Sequence, residues 1–201
     1  MIAVVGRLDD GTTLAVARRV VRGGGGAQLV TTVPPGSVGD RHLAELAAAG
    51  VGHAAALRSP SERLDPADLD LALRYLPDLR VVVLAADAAA LGATAADAAA
   101  WAGARLVAIA GQSIASATAG GASGHGPSDH NTIGDAIVLA PPPSDPDEAF
   151  AGIVAALAVR LDRGDDPAAA WRAVERDLGL EGVALSRSGR LAPDPGPSRR
   201  R

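Results

Sequence analysis

The chain has 201 residues, 48% of them hydrophobic but only 2% aromatic, with a net charge of −4 and a pI near 5.5. That length suits one compact domain with a core of Ala, Val and Leu, and the acidic balance argues against a nucleic-acid partner. All nineteen basic residues are Arg and there is no Cys, which excludes a Walker-type or Schiff-base lysine, thiol chemistry and disulfides. The N-terminus MIAVVGRLDD turns acidic too soon for a signal peptide, and no apolar run approaches membrane-spanning length. A cytoplasmic protein without a membrane partner is therefore expected.

Along the chain, short β-branched runs alternate with Ala/Leu-rich helical stretches. Strands are expected at Ile2–Val5, Gln28–Val33, about His53–Leu57, Arg80–Ala85, Arg105–Ala110 and Ala136–Ala140. Helices are expected at Thr12–Arg22, Val38–Ala49, Pro66–Leu76, Thr94–Ala102, Asp147–Asp162 and Pro167–Leu178. Asp65 before Pro66 is an N-cap followed by a first-turn proline, Gly50 and Gly103 are helix stops, and Gly23–Gly26 is a helix stop and hinge. Runs such as Val81–Leu84 and Leu106–Ile109 are apolar on both faces, as parallel strands covered by helices are. The alternation predicts a three-layer, doubly wound α/β fold with a mostly parallel, Rossmann-like sheet. The expected domain spans 1–185. Within it, 111–134 is a Gly/Ser-rich flexible stretch, and residues 186–201 form a disordered Pro/Arg-rich tail.

Several segments carry candidate chemistry. Gly6–Gly11 has the GxxxxG spacing of a phosphate loop, but Thr12 stands where the lysine would be, and Asp9 and Asp10 would repel a phosphate. The strand–turn–helix reading of that segment is stronger. His125, Asp129 and His130 lack a regular ligand frame, so no metal is assigned to them. Trp101 and Trp171 fall inside helical patterns and read as core or interface residues. Between the last strand and a long helix lies PPPSDPDEAFAG, Pro141 to Gly152, with Asp145, Asp147 and Glu148. These carboxylates either complement the helix dipole or supply a general base or Mg²⁺-linked carboxylate in the crevice at the strand ends.

These segments together resemble the ribokinase-like (PfkB-type) carbohydrate kinases. The resemblance rests on several motifs. Asp147-Glu148-Ala149-Phe150-Ala151-Gly152 is similar to the family's Gly-Asp turn and x-Phe-x-Gly helix start. Ala27–Val33 with Gly36-Ser-Val-Gly39-Asp40 resembles its strand and Gly-Asp turn, and Gly11-Thr12-Thr13 resembles its substrate-loop helix. The resemblance implies a ribokinase-like fold and places Glu148 at the catalytic base. It puts Thr13 where the family has a sugar-binding Asn, and Asp9 or Asp10 near its sugar-binding Asp. Gly39 and Asp40 fall beside the substrate, and Asp145 and Asp147 in the nucleotide-binding turn. An active member would use ATP and Mg²⁺.

This sequence also departs from the family's pattern. The β-lid is missing, because the first strand joins the substrate helix almost directly. The Asn-x-x-Glu motif has no counterpart, and the nucleotide-binding strands are absent or reduced to 111–134. Pro146 has no N–H to donate to an anion hole, while Asp145 and Asp147 add negative charge where phosphoryl transfer needs it neutralised. The expectation is a shortened, degenerate carbohydrate kinase-like protein with weak or no phosphotransfer to a sugar or nucleoside. Two alternatives stand beside it: an active small-molecule kinase with Glu148 as base, and a non-catalytic homodimeric interaction module. The expected partners are a small polyol or nucleoside, or a second copy of the chain.

Overall fold

A computed structural model describes residues 1–61, 63–85, 88–109, 136–141 and 149–179. Within them lie six strands and six helices: β1 (Ile2–Val5), α1 (Gly11–Arg22), β2 (Ala27–Val33), α2 (Ser37–Ala48), β3 (Ala56–Arg58), α3 (Pro66–Tyr75), β4 (Val81–Leu84), α4 (Ala88–Ala102), β5 (Arg105–Ile109), β6 (Ile137–Leu139), α5 (Ala149–Asp162) and α6 (Pro167–Leu178). The strands form one sheet in the order β3-β2-β1-β4-β5-β6. Every pairing is parallel, in the register Ile2↔Ala27 and Ile2↔Val81 around the central strand.

Alternate residues of each central strand feed opposite layers. Ile2, Val4, Val81, Val83, Val107 and Ile109 pack with α1 and α5, whereas Ala3, Val5, Val82, Leu84, Leu106 and Ala108 pack with α3 and α4. Both faces are therefore covered, which is why these strands read as unbroken apolar runs. On the α3/α4 side Ala95, Ala98 and Ala99 are buried, and these small side chains let α4 lie close on the sheet. On the other side Val154 and Leu157 are fully buried, each contributing roughly 2 kcal/mol of transfer free energy.

Two elements differ from the sequence-based expectation beyond a residue or two. The strand placed at His53–Leu57 forms only at Ala56–Arg58. The chain first touches β2 at Gly52, whose N–H donates to Ala27 O at 2.9 Å and whose carbonyl accepts from Leu29 N at 2.8 Å. A turn closed by Ala56 N–H to His53 O then separates that contact from β3. Helix α4 begins at Ala88, six residues before the expected Thr94, because a run of Ala and Leu outweighs the single Gly92, which costs about 1 kcal/mol inside a helix. The candidate residues Asp145, Asp147 and Glu148, the histidines His125 and His130, the 111–134 stretch and the 186–201 tail lie outside the described residues.

Candidate functional site

In a parallel sheet wound in this order, connections leave β1 and β4 in opposite directions. The crevice at their carboxyl ends is the topological switch point, where such folds bind ligands. A cleft of about 250 Å³ opens on the β1–β2–β3 side of that point, lined by Leu8, Asp9, Thr32, Pro34, His42, Ser59, Pro60 and Ser61.

The turn Gly6–Asp10 joins β1 directly to α1, with no intervening strand. Gly6 is required there by space: a Cβ on it would sit 2.2 Å from the Thr13 hydroxyl oxygen. Thr13 is fully buried and donates its hydroxyl to Asp10 Oδ2 at 2.8 Å. Asp10 is the N-cap of α1, accepting from Thr12 N at 3.1 Å. Asp10 and Thr13 thus pin the helix start behind the cleft, while Asp9 lies on its lining. The Arg7 guanidinium grips Asp9 in a fork, Nε to Oδ1 at 2.9 Å and a terminal nitrogen to Oδ2 at 2.5 Å. The Arg7 hydrogen bond, with its positive charge, holds the Asp9 carboxyl below the ordinary aspartate value of 3.8.

The second wall comes from the β2–α2 connection. Gly39, in the first turn of α2, is buried against the Pro34 carbonyl, where a Cβ would lie 1.9 Å from the oxygen. That close approach brings His42, one turn further on, to the cleft, with its Nδ1 3.9 Å from Glu45. Asp40 does not line the cleft. It pairs with Arg58 at 2.5 Å at the end of β3, immediately before Ser59. Ser59 is fixed by its N–H to Val33 O at 3.0 Å, and its hydroxyl oxygen accepts from Ser61 N at 3.0 Å. Asp9, Asp10, Thr13, Gly39 and Asp40 therefore all lie along one carboxyl edge.

The sequence reading did not single out Thr32, Ser59, Ser61 or His42 for a site. The polar residues at the ends of expected strands were a usable signal for Thr32 and Ser59, whereas only the packing of α2 on Pro34 identifies His42. Among the described residues, no group of three or more His, Asp or Glu could hold a metal ion. None of their helices is long and apolar enough to cross a membrane. Of the two tryptophans, Trp171 is buried in the core, and Trp101 is 64% exposed on α4.

No family model matches the chain, and no curated protein matches it. Solved structures do. Aminoimidazole riboside kinase from Salmonella enterica, complexed with aminoimidazole riboside and an ATP analogue, superimposes with a TM-score of 0.55 at 16% identity, covering 93% of this chain and 94% of that one. Phosphofructokinase-2 from Escherichia coli, in complex with potassium, gives 0.52 at 14%, covering 86% and 85%. A PfkB family carbohydrate kinase from Listeria grayi gives 0.41 at 13%, covering 54% of this chain and 51% of that one, so the chain spans about half the length of that protein. At these identities the likeness is one of fold: the six-stranded parallel sheet with helices on both faces is a ribokinase-like α/β fold.

Proposed function

We propose that this chain, with its ribokinase-like fold, is a cytoplasmic carbohydrate kinase-like protein that binds a small polyol or nucleoside at the carboxyl edge of β1–β3 and transfers phosphate weakly or not at all. One observation carries the reading: Asp9, Thr32, His42, Ser59 and Ser61 converge on one cleft beside the switch point. An ionised Asp9 accepts hydrogen bonds from substrate hydroxyls, and the Arg7 fork keeps it ionised. Asp10 and Thr13 hold the start of α1, and Gly39 and Asp40 hold the start of α2, so the cleft's walls are fixed before a ligand arrives.

The chemistry of phosphate transfer argues for weak or lost activity. Glu148 stands at the base position one methylene longer than an Asp, Pro146 offers no N–H, and Asp145 and Asp147 add negative charge where the nucleotide would bind. In an active enzyme Asp145 and Asp147 would lie where ATP and Mg²⁺ bind and Glu148 would be the base; all three lie outside the described residues. A second reading, a homodimeric interaction module, is favoured by the exposure of Leu71, Tyr75 and Trp101 on α3 and α4.

Calorimetric titration with ATP–Mg²⁺ tests the proposal, followed by ADP release over a sugar and nucleoside panel, wild type against Glu148→Gln. Polyol or nucleoside binding with negligible turnover is expected. Turnover abolished by Glu148→Gln overturns the degenerate reading in favour of an active kinase. Absence of all binding, with a concentration-dependent dimer in light scattering, favours the interaction module.

A further inference from the structure

We infer that the cleft takes an uncharged, non-aromatic polyol and not a nucleoside. The inference rests on the substrate-site reading above and narrows it. The chain has four aromatic residues, two Trp, one Tyr and one Phe, and all four are located. Phe150 and Trp171, each 7% exposed, are core residues of α5 and α6. Tyr75 and Trp101 stand on the outside of α3 and α4, with the Arg74 guanidinium 5.1 Å from the centre of the Trp101 ring. None lines the cleft, and no Phe, Tyr or Trp remains elsewhere in the chain to supply a stacking face. Stacking on such a ring strengthens binding of a base by roughly tenfold or more, and this site offers no Phe, Tyr or Trp for it.

The cleft's polar groups suit hydroxyls instead. Thr32 and Ser59 carry hydroxyls that donate and accept, Ser61 gives its hydroxyl proton to Arg63 O at 3.1 Å and keeps an accepting oxygen, and Asp9 only accepts. The Arg7 fork occupies one direction at each Asp9 oxygen and leaves further lone pairs for substrate O–H groups. Charge selects in the same direction. Two cations at this edge are paired with carboxylates, Arg7 with Asp9 and Arg58 with Asp40, and the charged group on the lining itself is the Asp9 carboxylate, which disfavours a phosphate or sugar acid. His42 contributes the one ring on the lining, and it is the group through which a base could still be held.

Calorimetry on the full chain tests this with D-ribose, D-fructose and ribitol against adenosine, cytidine and ribose 5-phosphate. The expected result is binding of at least one polyol, with both nucleosides and the phosphate weaker than the tightest polyol. A nucleoside or the phosphate binding more tightly overturns the inference and leaves the substrate-site reading intact. No binding by any of the six overturns both. The His42→Ala variant probes the remaining ring. An equal change for polyol and nucleoside, including none, supports the inference, and a loss confined to the nucleosides overturns it.

Discussion

Two clefts among the described residues lie at opposite ends of the sheet, and the roomier of the pair is chemically the poorer. At the amino edge, α4 and the starts of β5 and β6 enclose about 400 Å³ lined by Ala96, Ala99, Ala100, Gly103, Ala104, Arg105, Leu106 and Ala136. At the carboxyl edge, a space of about 250 Å³ gathers a carboxylate, three hydroxyls and an imidazole. Volume at the amino edge follows from the small side chains that let α4 pack closely. The polar groups at the carboxyl edge come from the end of β2, the loops after β1 and β3, and the second turn of α2. The contrast teaches that position in the winding and donor chemistry, rather than size, single out the candidate site.

The sharpest way to break the contrast is the same substitution at each cleft. Gly39→Ala forces a methyl to within 1.9 Å of a backbone oxygen that cannot yield without moving the β2–α2 turn. A loss of about 3 kcal/mol is expected, lowering Tm by roughly 6–12 °C, together with loss of polyol binding as the β2–α2 wall of the cleft moves. Gly103→Ala, at φ +66° with no atom within 4 Å of the new methyl, costs about 1 kcal/mol for the left-handed backbone alone and leaves binding untouched. Equal losses in a melting series would show that the carboxyl edge is no more tightly built than the amino edge.

A second pair compares two N-caps. Asp10→Ala removes the α1 cap and leaves the buried Thr13 hydroxyl without its acceptor, for about 2 kcal/mol in denaturant unfolding. Asp166 caps α6 through Ala168 N at 3.0 Å and Ala169 N at 3.3 Å, in an exposed setting, so Asp166→Ala costs about 1 kcal/mol. Similar values for the two would mean that the Asp10–Thr13 bond adds nothing to the site's rigidity.

The sheet and its winding were legible from sequence because both faces of the central strands are covered, so apolar runs such as Val81–Leu84 carry the signal without alternation, whereas the half-exposed edge strand β3 was misplaced. The start of α4 was less legible, since Gly92 reads as a break that the flanking Ala and Leu outweigh. The carboxyl edge was half legible. Asp9, Asp10, Thr13, Gly39 and Asp40 were candidates through the resemblance to the ribokinase-like kinases, but no local pattern assigns Asp9 to the lining and Asp10 to the cap. That division comes from two local bonds, the Thr13 hydroxyl to Asp10 and the Arg7 fork to Asp9, whose choice of partner the sequence does not specify. His42 was illegible because it reaches the cleft only through the contact of Gly39 with Pro34.

Electrostatics gives a smaller prediction at the carboxyl edge. Because Arg7 depresses the Asp9 pKa, the carboxylate and the stability of its ion pair persist from above the ordinary value of 3.8 down into more acid solution. Both are lost as pH falls through the lowered pKa. Carbon-detected NMR titration of the Asp9 carboxyl should give a midpoint below 3.8 in the wild type, moving up to it in Arg7→Gln. Polyol affinity in the variant should begin to fail at correspondingly higher pH. An unchanged midpoint would show that the fork does not persist in solution and that Asp9 needs no partner to stay ionised.

The smallest expected effect lies at the other end of the sheet. Arg105 is the charged residue of the amino-edge cleft, and its backbone N–H is already given to Arg80 O at 2.8 Å, so its exposed side chain is not needed to hold β5 in place. Arg105→Ala should therefore change stability by no more than about 0.5 kcal/mol and leave polyol affinity as it is in the wild type. A tenfold loss of affinity in calorimetry would place the ligand in the Ala-lined space and reverse the assignment of the two edges. The near-silence of this variant thus bears on the site as directly as the damage expected from Gly39→Ala.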